Sequence, residues 1–389
     1  MKLLVLLSRF PYPLDKGDKL RAYHQLRYLA RHHEICLLAL TDEPVTAEAE
    51  AAVRPLCRGG LHVHPLRKPG IAANMTRALA TGRPFQVGYF YDAAAQRRLD
   101  ALLLEFQPRH VYCQLIRMAE YLRPHAGRYP MTLDYMDVFS AGMTRRAAQA
   151  PVWQRPVLAL EARRLLAYEA RAFDWFAHHT IISDQDRQLI GHPRRQQIHV
   201  VLNGIDTDFF QPVAQPTEYD IVFCGNMSYH PNVDAALFLA TEILPLVQQT
   251  HPEARLLIAG TTPAARVLAL ASAHVTVSGW LPDIRDAYAS ARVFVAPMRV
   301  GTGLQNKLLE AMAMRLPCVT TTLANNALRG VPGEDLLVGN TAAELAGHIA
   351  GLLAAAPLAA GLAERGQQFV RRHYNWAAAT RQLEVLFEG

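Results

Sequence analysis

Short runs of β-branched residues and leucine alternate with helical patterns along this chain, and the alternation occurs twice. One series precedes a proline-containing, poorly periodic segment at residues 206–217, and the other follows it. Strands that alternate with helices indicate parallel sheets built from βαβ units. At 389 residues, the chain is also longer than one hydrophobic core usually organises. The sequence therefore predicts an α/β protein with two Rossmann-like parallel-sheet domains.

The predicted strands and helices divide the chain into three parts. In the first series we predict strands at 2–7, 34–40, 61–64, 110–113, 131–134, 179–182 and 199–202, and in the second at 219–224, 255–259, 275–277, 293–296, 318–321 and 336–338. Helices are predicted at 20–31, 233–249, 307–314 and 341–353, and over 144–176 with breaks at Pro151 and Pro156. We expect an N-terminal domain at 1–205, a second domain at 206–370, and a C-terminal helix at 371–389 that packs back on the first domain.

The cysteines and the apolar runs indicate a cytoplasmic protein. Five cysteines are scattered without any Cys-x-x-Cys spacing, which argues against a disulfide framework and a zinc site. The apolar run at 3–7 is broken by Arg9 before a signal-peptide core is complete. No apolar stretch reaches the ~20 residues of a membrane-spanning helix. Helix-turn-helix, zinc-finger and RNP patterns are absent, so no nucleic-acid partner is expected.

The positive charge lies entirely in the first half of the chain. Residues 1–210 hold 28 Lys and Arg against 20 Asp and Glu, whereas residues 211–389 hold 12 against 14. A one-sided basic domain suggests an anionic partner, such as phospholipid head groups, a phosphorylated substrate or nucleic acid. An arginine-rich surface that reflects a GC-rich genome explains the same excess equally well.

The most informative segment runs from a predicted buried strand, 293–296, through a glycine-containing loop into the helix at 307–314. Gly301 and Gly303 allow the loop backbone to approach an anion closely. The free N–H groups at the start of the helix, aided by its dipole, bind phosphate. This pattern predicts a phosphate cradle.

Charged side chains surround the predicted cradle. Arg299 and Lys307 are placed to neutralise a diphosphate, and Glu310 could accept hydrogen bonds from two ribose hydroxyls. Lys307 and Glu310 are equally well read as a helical i, i+3 salt pair. The segment differs from a dinucleotide fingerprint, because Asn306 stands where the third glycine would be and the loop lies in the second domain.

Several motifs in fixed order extend this pattern. They are the linker Asn203-Gly204-Ile205-Asp206 with Phe210 and Pro212, the strand end Phe223-Cys224-Gly225, the block from Pro297 to Ala313, and Pro317-Cys318-Val319. Together they resemble the family 4 glycosyltransferases, which are retaining enzymes with the GT-B fold. The segments Arg9 to Arg21, Tyr229 to Asn232 and Gln305 to Lys307 resemble the subgroup associated with the PEP-CTERM/exosortase surface system.

The resemblance implies two Rossmann-like domains that face each other across a cleft. It also implies a UDP-, GDP- or ADP-linked sugar donor, transfer with retention, and no cofactor or obligatory metal. Glu310 matches the second glutamate of the family's Glu-x7-Glu motif and would bind the ribose. The first glutamate is replaced by Thr302, so sugar recognition would depend on the loop backbone.

The candidate site residues fall into three groups. The catalytic candidates are Arg299, Lys307 and Glu310. The donor-binding candidates are Gly225, Trp280, Leu281, Gly301, Thr302, Gly303 and Leu304. The turn containing Trp280 would offer backbone groups to the nucleobase, and we interpret the Trp280 side chain as part of the core.

The acceptor-side candidates are in the first domain. They are Gly17, Asp18, Lys19, Arg21 and Asp137. Gly17 permits close approach of a ligand, Lys19 and Arg21 could contact a phosphate, and Asp137 could contact an acceptor hydroxyl. The alternative is a solvated helix start with Asp18 as the N-cap.

The sequence predicts a retaining glycosyltransferase that acts on a glycan or lipid-linked acceptor in exopolysaccharide or surface-glycan synthesis. We expect it in the cytoplasm, with an anionic membrane surface as a partner at the inner face. Two alternatives remain. One is a GT-B nucleotide-sugar epimerase, and the other is a catalytically silent nucleotide-sugar-binding protein, which the Thr302 substitution makes conceivable.

Overall fold

The computed structural model describes residues 1–300 and 304–388. The chain divides into two compact units. Met1–Asn203 and the last helix form unit 1, and Gly204–Asn375 forms unit 2. Each unit is built around one sheet in which neighbouring strands are parallel.

The two sheets share one strand order. In unit 1 the strands are β1 (Lys2–Leu7), β2 (Glu34–Thr41), β3 (Gly60–Pro65), β4 (His110–Gln114), β5 (Met131–Met136), β6 (His178–Ile181) and β7 (His199–Val200), in the order β3-β2-β1-β4-β5-β6-β7. In unit 2 they are β8 (Tyr219–Cys224), β9 (Leu256–Ala259), β10 (Val275–Gly279), β11 (Ala291–Ala296), β12 (Cys318–Thr320) and β13 (Leu337–Val338), in the order β10-β9-β8-β11-β12-β13. The order reverses between β1 and β4 and between β8 and β11, which is the doubly wound pattern. The prediction of two Rossmann-like parallel-sheet domains is confirmed.

Helices connect the strands. Those of unit 1 are α1 (Gly17–Leu29), α2 (Ala47–Val53), α3 (Lys68–Thr81), α4 (Phe85–Phe90), α5 (Ala93–Phe106), α6 (Ala119–Leu122), α7 (Phe139–Gln149), α8 (Arg155–Phe173) and α9 (Asp184–Leu189). Those of unit 2 are α10 (His230–Phe238), α11 (Leu244–Gln248), α12 (Ala265–Leu268), α13 (Ile284–Ala289), α14 (Asn306–Ala313), α15 (Thr322–Leu328), α16 (Ala342–Ala354) and α17 (Ala356–His373), and the last helix is α18 (Trp376–Glu388). None of the described helices is by itself long and apolar enough to cross a membrane, although the sharply bent pair α16 and α17 together meets the length and composition limits.

Two predicted helices are each divided in the structure. The predicted helix at 144–176 is two helices, α7 and α8, and Pro156 occupies the first turn of α8, where a missing N–H costs nothing. The predicted helix at 233–249 begins earlier, at His230, and passes through a π-helical segment at Leu239–Ile243 before α11.

Strand β1 is buried on both faces of its sheet, which explains its unbroken apolar sequence. Leu4 and Leu6 face one core cluster, whereas Leu3 and Val5 face the other. Helix α18 covers the second cluster, to which its Leu383 and Phe387 side chains belong. The last helix therefore completes the core of unit 1.

A buried polar network joins α1 to the middle of this sheet. Arg21 has no exposed surface, and its Nε donates to the Asp134 carboxylate at 2.6 Å. Tyr112 and Thr180 also donate to that carboxylate, at 2.8 and 2.9 Å. A terminal Arg21 nitrogen donates to Asn203 at 2.7 Å, so the network also holds the end of unit 1.

Replacing Arg21 should destabilise the protein strongly. Arg21→Met removes the cation and leaves the Asp134 charge buried without its partner, which costs about 3–5 kcal/mol. The measurement is the free energy of unfolding in urea. The control is Arg54→Met, which breaks an exposed ion pair with Glu50 and should cost less than ~1 kcal/mol. If both variants lose equally little stability, the network does not hold unit 1 together.

Candidate active site

Two glycines bring the backbones at the ends of β8 and β9 into contact. Gly260 follows β9 with φ +138°, and a Cβ built on it would lie 1.7 Å from the Gly225 carbonyl oxygen. A Cβ on Gly225 would lie 2.8 Å from the Asn232 side-chain nitrogen. Gly260 therefore requires glycine, whereas a larger residue in place of predicted donor residue Gly225 would displace the Asn232 side chain.

Glu310 is held at the same edge of the sheet by a tyrosine. It lies on α14, which follows β11, and its Oε2 accepts a hydrogen bond from the Tyr288 hydroxyl at 2.6 Å. Burial raises the pKa of Glu310, while the Tyr288 hydrogen bond and the charge of Lys307 oppose that rise. Within the described part of the chain, no hydrogen bond reaches the other carboxylate oxygen, Oε1. As far as the described residues go, that oxygen is free to accept a hydrogen bond.

Lys307 lies one turn before Glu310 and is held by polar and aromatic neighbours. Its Nζ donates to the Asn232 side-chain oxygen, on α10, and lies 5.1 Å from the centre of the Phe223 ring. Burial lowers the pKa of Lys307 to about 8, although the Glu310 charge acts in the opposite direction. The side chain is therefore a partly desolvated cation, which a ligand anion would stabilise.

The predicted phosphate loop lies only in part within the described residues. Gly301, Thr302 and Gly303 are outside them, whereas Leu304 is half-buried. Helix α14 begins at Asn306, and among the described residues no side chain caps its N-terminus. The first N–H groups of this helix are therefore available to an anion.

The Arg299 side chain binds two carboxylates that are not among the residues that hold Lys307. Its guanidinium pairs with Asp234 at 2.9 Å and with Glu242 at 3.5 Å, and it stacks over the Phe238 ring at 4.0 Å. Two carboxylates already balance its charge, so this arrangement does not support the prediction that Arg299 neutralises a diphosphate.

The turn after β10 presents an exposed tryptophan. Gly279 has φ +69°, and the Trp280 side chain that follows it is 67% exposed. The interpretation of Trp280 as a core residue is wrong, because the left-handed turn directs the chain out of the sheet. Leu281 is half-buried.

In unit 1, Asp18 and Lys19 at the start of α1 are buried, and Asp18 does not cap the helix. The helix begins at Gly17, with Lys16 at the cap position, and Asp18 is buried and paired with Arg9 at 2.7 Å. Lys19 is also buried, and its Nζ lies 3.0 Å from Asp15. The alternative of a solvated helix start with an Asp18 cap is therefore wrong.

The prediction that Arg21 contacts an acceptor phosphate is also wrong. Its side chain is completely buried and is bound to Asp134 and Asn203. Lys19, although buried, lines a surface pocket together with Arg9, Tyr12 and Asp42.

Arg117 is a basic residue that the sequence analysis did not single out. It follows β4, is 9% exposed, and lies between the Phe90 and Phe139 rings at 4.7 and 4.8 Å. Among the described residues no hydrogen bond reaches its guanidinium, and its Nε is buried without a partner. Burial lowers its pKa to about 10. The exposed carboxylate of Asp137, which follows β5, acts on it electrostatically.

The structure thus assembles two groups of residues. In unit 2, Lys307 lies beside Gly225 and Asn232, and Glu310, one turn further along the same helix, is bound to Tyr288. Asn232 belongs to a segment whose resemblance the sequence analysis noted without a role, and nothing local in the sequence marks Tyr288. The second group, in unit 1, contains Arg9, Asp18, Arg117 and Asp137 within electrostatic range of one another.

Comparisons with known proteins give a family match in unit 2. Residues 218–355 match the family model described as Glycosyl transferases group 1. The chain is also 21% identical over 366 residues to a 44.6 kDa protein in the cps region of Klebsiella pneumoniae, covering 90% of both chains.

Solved structures match along the whole chain. A glycosyltransferase from Rickettsia africae has a TM-score of 0.70 at 13% identity, covering 100% of this chain and 98% of that one. Sucrose-phosphate synthase from Thermosynechococcus elongatus has 0.67 at 16%, with coverage of 100% and 98%. Anabaena HepE in complex with UDP has 0.66 at 12%, with coverage of 100% of both chains. The chain thus has the GT-B fold, with a group 1 glycosyl transferase domain at 218–355, and these matches support a glycosyltransferase.

Proposed function

We propose that this protein is a retaining, hexosyltransferase-like glycosyltransferase of family 4. It moves a sugar from a nucleotide-sugar to a glycan or lipid-linked acceptor in surface-glycan synthesis. The observation that carries the proposal is a pair of side chains on one helix turn, Glu310 and Lys307: a carboxylate with one oxygen that no described residue binds, and a partly desolvated lysine. Both lie beside the point where the strand order reverses between β8 and β11, which is where open α/β sheets bind ligands.

Glu310 binds the ribose of the donor in this proposal. Tyr288 fixes one carboxylate oxygen at 2.6 Å, so the carboxylate is oriented before a ligand arrives. The remaining oxygen accepts from a ribose hydroxyl. A hydrogen bond to a charged acceptor is worth roughly twice a neutral one, which makes the contact selective for a sugar with free hydroxyls.

Lys307 and the start of α14 bind the diphosphate. The bond to Asn232 holds the ammonium group near the end of β8, beside Gly225. Uncapped N–H groups of α14 supply further donors without any side-chain charge. The diphosphate would therefore meet one cation and a helix N-terminus.

These groups act on the leaving group during transfer. As the glycosidic bond to phosphate stretches, negative charge collects on the phosphate oxygens, and preorganised donors there lower the barrier. Retention follows if the acceptor hydroxyl attacks from the face that the diphosphate leaves, with a phosphate oxygen taking its proton. The proposal requires neither a metal nor another cofactor.

The acceptor binds at unit 1 in this proposal. Gly17, Lys19, Arg117 and Asp137 offer an exposed backbone, two cations and an exposed carboxylate. The cations suit an anionic group of the acceptor, and the carboxylate suits a hydroxyl. We also propose a cytoplasmic location, with which the buried free thiols of all five cysteines agree.

Two relatives support this assignment. Structures of Anabaena HepE contain UDP or UDP-glucose, which favours a uridine nucleotide among the candidate donors. The relative from a cps region of Klebsiella pneumoniae favours a place in polysaccharide synthesis.

Nucleotide binding tests the proposal directly. A nucleoside diphosphate should raise the thermal stability of the wild type, since a ligand at 100 times its Kd adds about 2.7 kcal/mol. Thermal shift is measured with UDP, GDP, ADP and CMP. Glu310→Ala should abolish the shift with an unchanged far-UV circular dichroism spectrum, and Glu364→Ala, which alters an exposed carboxylate, should retain it.

Two results would contradict the proposal. One is the absence of any nucleotide-dependent shift in the wild type. The other is a shift that Glu310→Ala leaves intact. Product analysis with and without acceptor then separates transfer from epimerisation, because an epimerase converts the donor alone.

Donor binding should also weaken as the pH rises. Only the charged form of Lys307 attracts a diphosphate, and in the free protein the buried ammonium loses its proton at about pH 8. Affinity for UDP should therefore fall between about pH 7 and about pH 9, as measured by calorimetry. Lys307→Met should bind more weakly at the lower pH and show little further loss. An equal loss in both proteins would assign the pH dependence to another group.

A further inference from the structure

The connection between α7 and α8 forms an exposed apolar tip. The two helices pack against each other and are joined by residues 150–154. Val152, Trp153 and Val157 lie at this end of the hairpin and are 75%, 76% and 57% exposed. Large apolar side chains exposed together mark an interaction surface.

All acidic side chains of the hairpin are turned inward. Residues 144–171 contain six arginines and two glutamates. Glu161 is buried and accepts hydrogen bonds from the backbone of Phe85 and Gln86 at the start of α4, at 2.8 and 3.0 Å. Glu169 is completely buried and accepts from Ser140. The exposed charges of the hairpin are therefore exclusively positive.

The arginines near the tip are not paired with any carboxylate among the described residues. Arg146, Arg155 and Arg163 are exposed, and within the described part of the chain none of them forms an ion pair. Burial of the opposite side of the hairpin, at Met143 and Leu165, explains why these side chains face solvent. An apolar tip beside unpaired cations is complementary to an anionic surface with an apolar interior.

We infer that the α7–α8 tip docks on an anionic phospholipid bilayer. Trp153 would enter the interfacial region, where an amphipathic ring is favoured, while the arginines contact lipid phosphates. Each basic residue near such a surface contributes about 1 kcal/mol. The docking itself does not depend on the proposed function. Its consequence rests on the proposed function: unit 1 would meet a lipid-linked acceptor at the membrane.

Vesicle flotation tests the tip directly. The full chain should float with vesicles that contain phosphatidylglycerol and phosphatidylcholine, and much less with phosphatidylcholine alone or at high salt. Val152→Ser/Trp153→Ser and Arg146→Gln/Arg155→Gln/Arg163→Gln should each weaken binding at least ~10-fold. The matched controls are Leu104→Ser, an exposed leucine of α5, and Arg371→Gln/Arg372→Gln on α17, which should bind like the wild type.

The outcomes separate this inference from the proposed function. Failure of the wild type to float, or equal binding by the tip variants and the controls, overturns the docking surface. Dimerisation that Trp153→Ser abolishes also overturns it, because a second copy would then cover the tip. The UDP-induced thermal shift, measured on the same variants, should be unchanged. Its absence in a wild type that floats would refute the donor site alone.

Discussion

The ion pair between Arg21 and Asp134 fixes the part of unit 1 on which its other elements depend. Burying two charges is costly, and the cost is offset only where every lone pair and proton finds a partner. Here Tyr112 and Thr180 donate further hydrogen bonds to the Asp134 carboxylate, and Asn203 accepts one from the Arg21 guanidinium. One network thus joins a helix, three strands and the end of the unit. Because Arg21 has no exposed surface, the network stabilises unit 1 and its guanidinium is not accessible to a ligand.

The cluster in unit 2 uses similar residue types and remains open. Glu310 has one oxygen held by Tyr288 and one without a partner among the described residues, and Lys307 is only partly desolvated. The two units differ in how many partners their buried charges have. In unit 1 the charges of Arg21 and Asp134 are bound by other protein groups, whereas in unit 2 the described residues leave one Glu310 oxygen available to a ligand. The cluster of unit 2 is therefore the one at which we propose that a ligand binds.

Much of this fold follows from the sequence, because strands buried on both faces must be continuous apolar runs. That Lys307 and Glu310 lie on one helix could also be predicted, since their relation is local: one turn of one helix after one strand. The protein partners of Arg21 and Arg299 could not be predicted, because they are not local. The carboxylate that holds Arg21 lies 113 positions away, and one that holds Arg299 lies 65 away. Ion pairs between residues so far apart in the chain depend on how the strands align in the sheet. The periodicity of the sequence does not predict that alignment.

The energetics of the open cluster link folding to binding. Burial works against both charges, lowering the pKa of Lys307 and raising that of Glu310. Their mutual attraction and the Tyr288 hydrogen bond offset only part of that cost. A diphosphate at Lys307 and a ribose at Glu310 would supply the missing partners, so the free energy spent on holding these groups in place would be recovered on binding. A site built in this way is preorganised: its polar groups need little reorientation when charge develops on the leaving group.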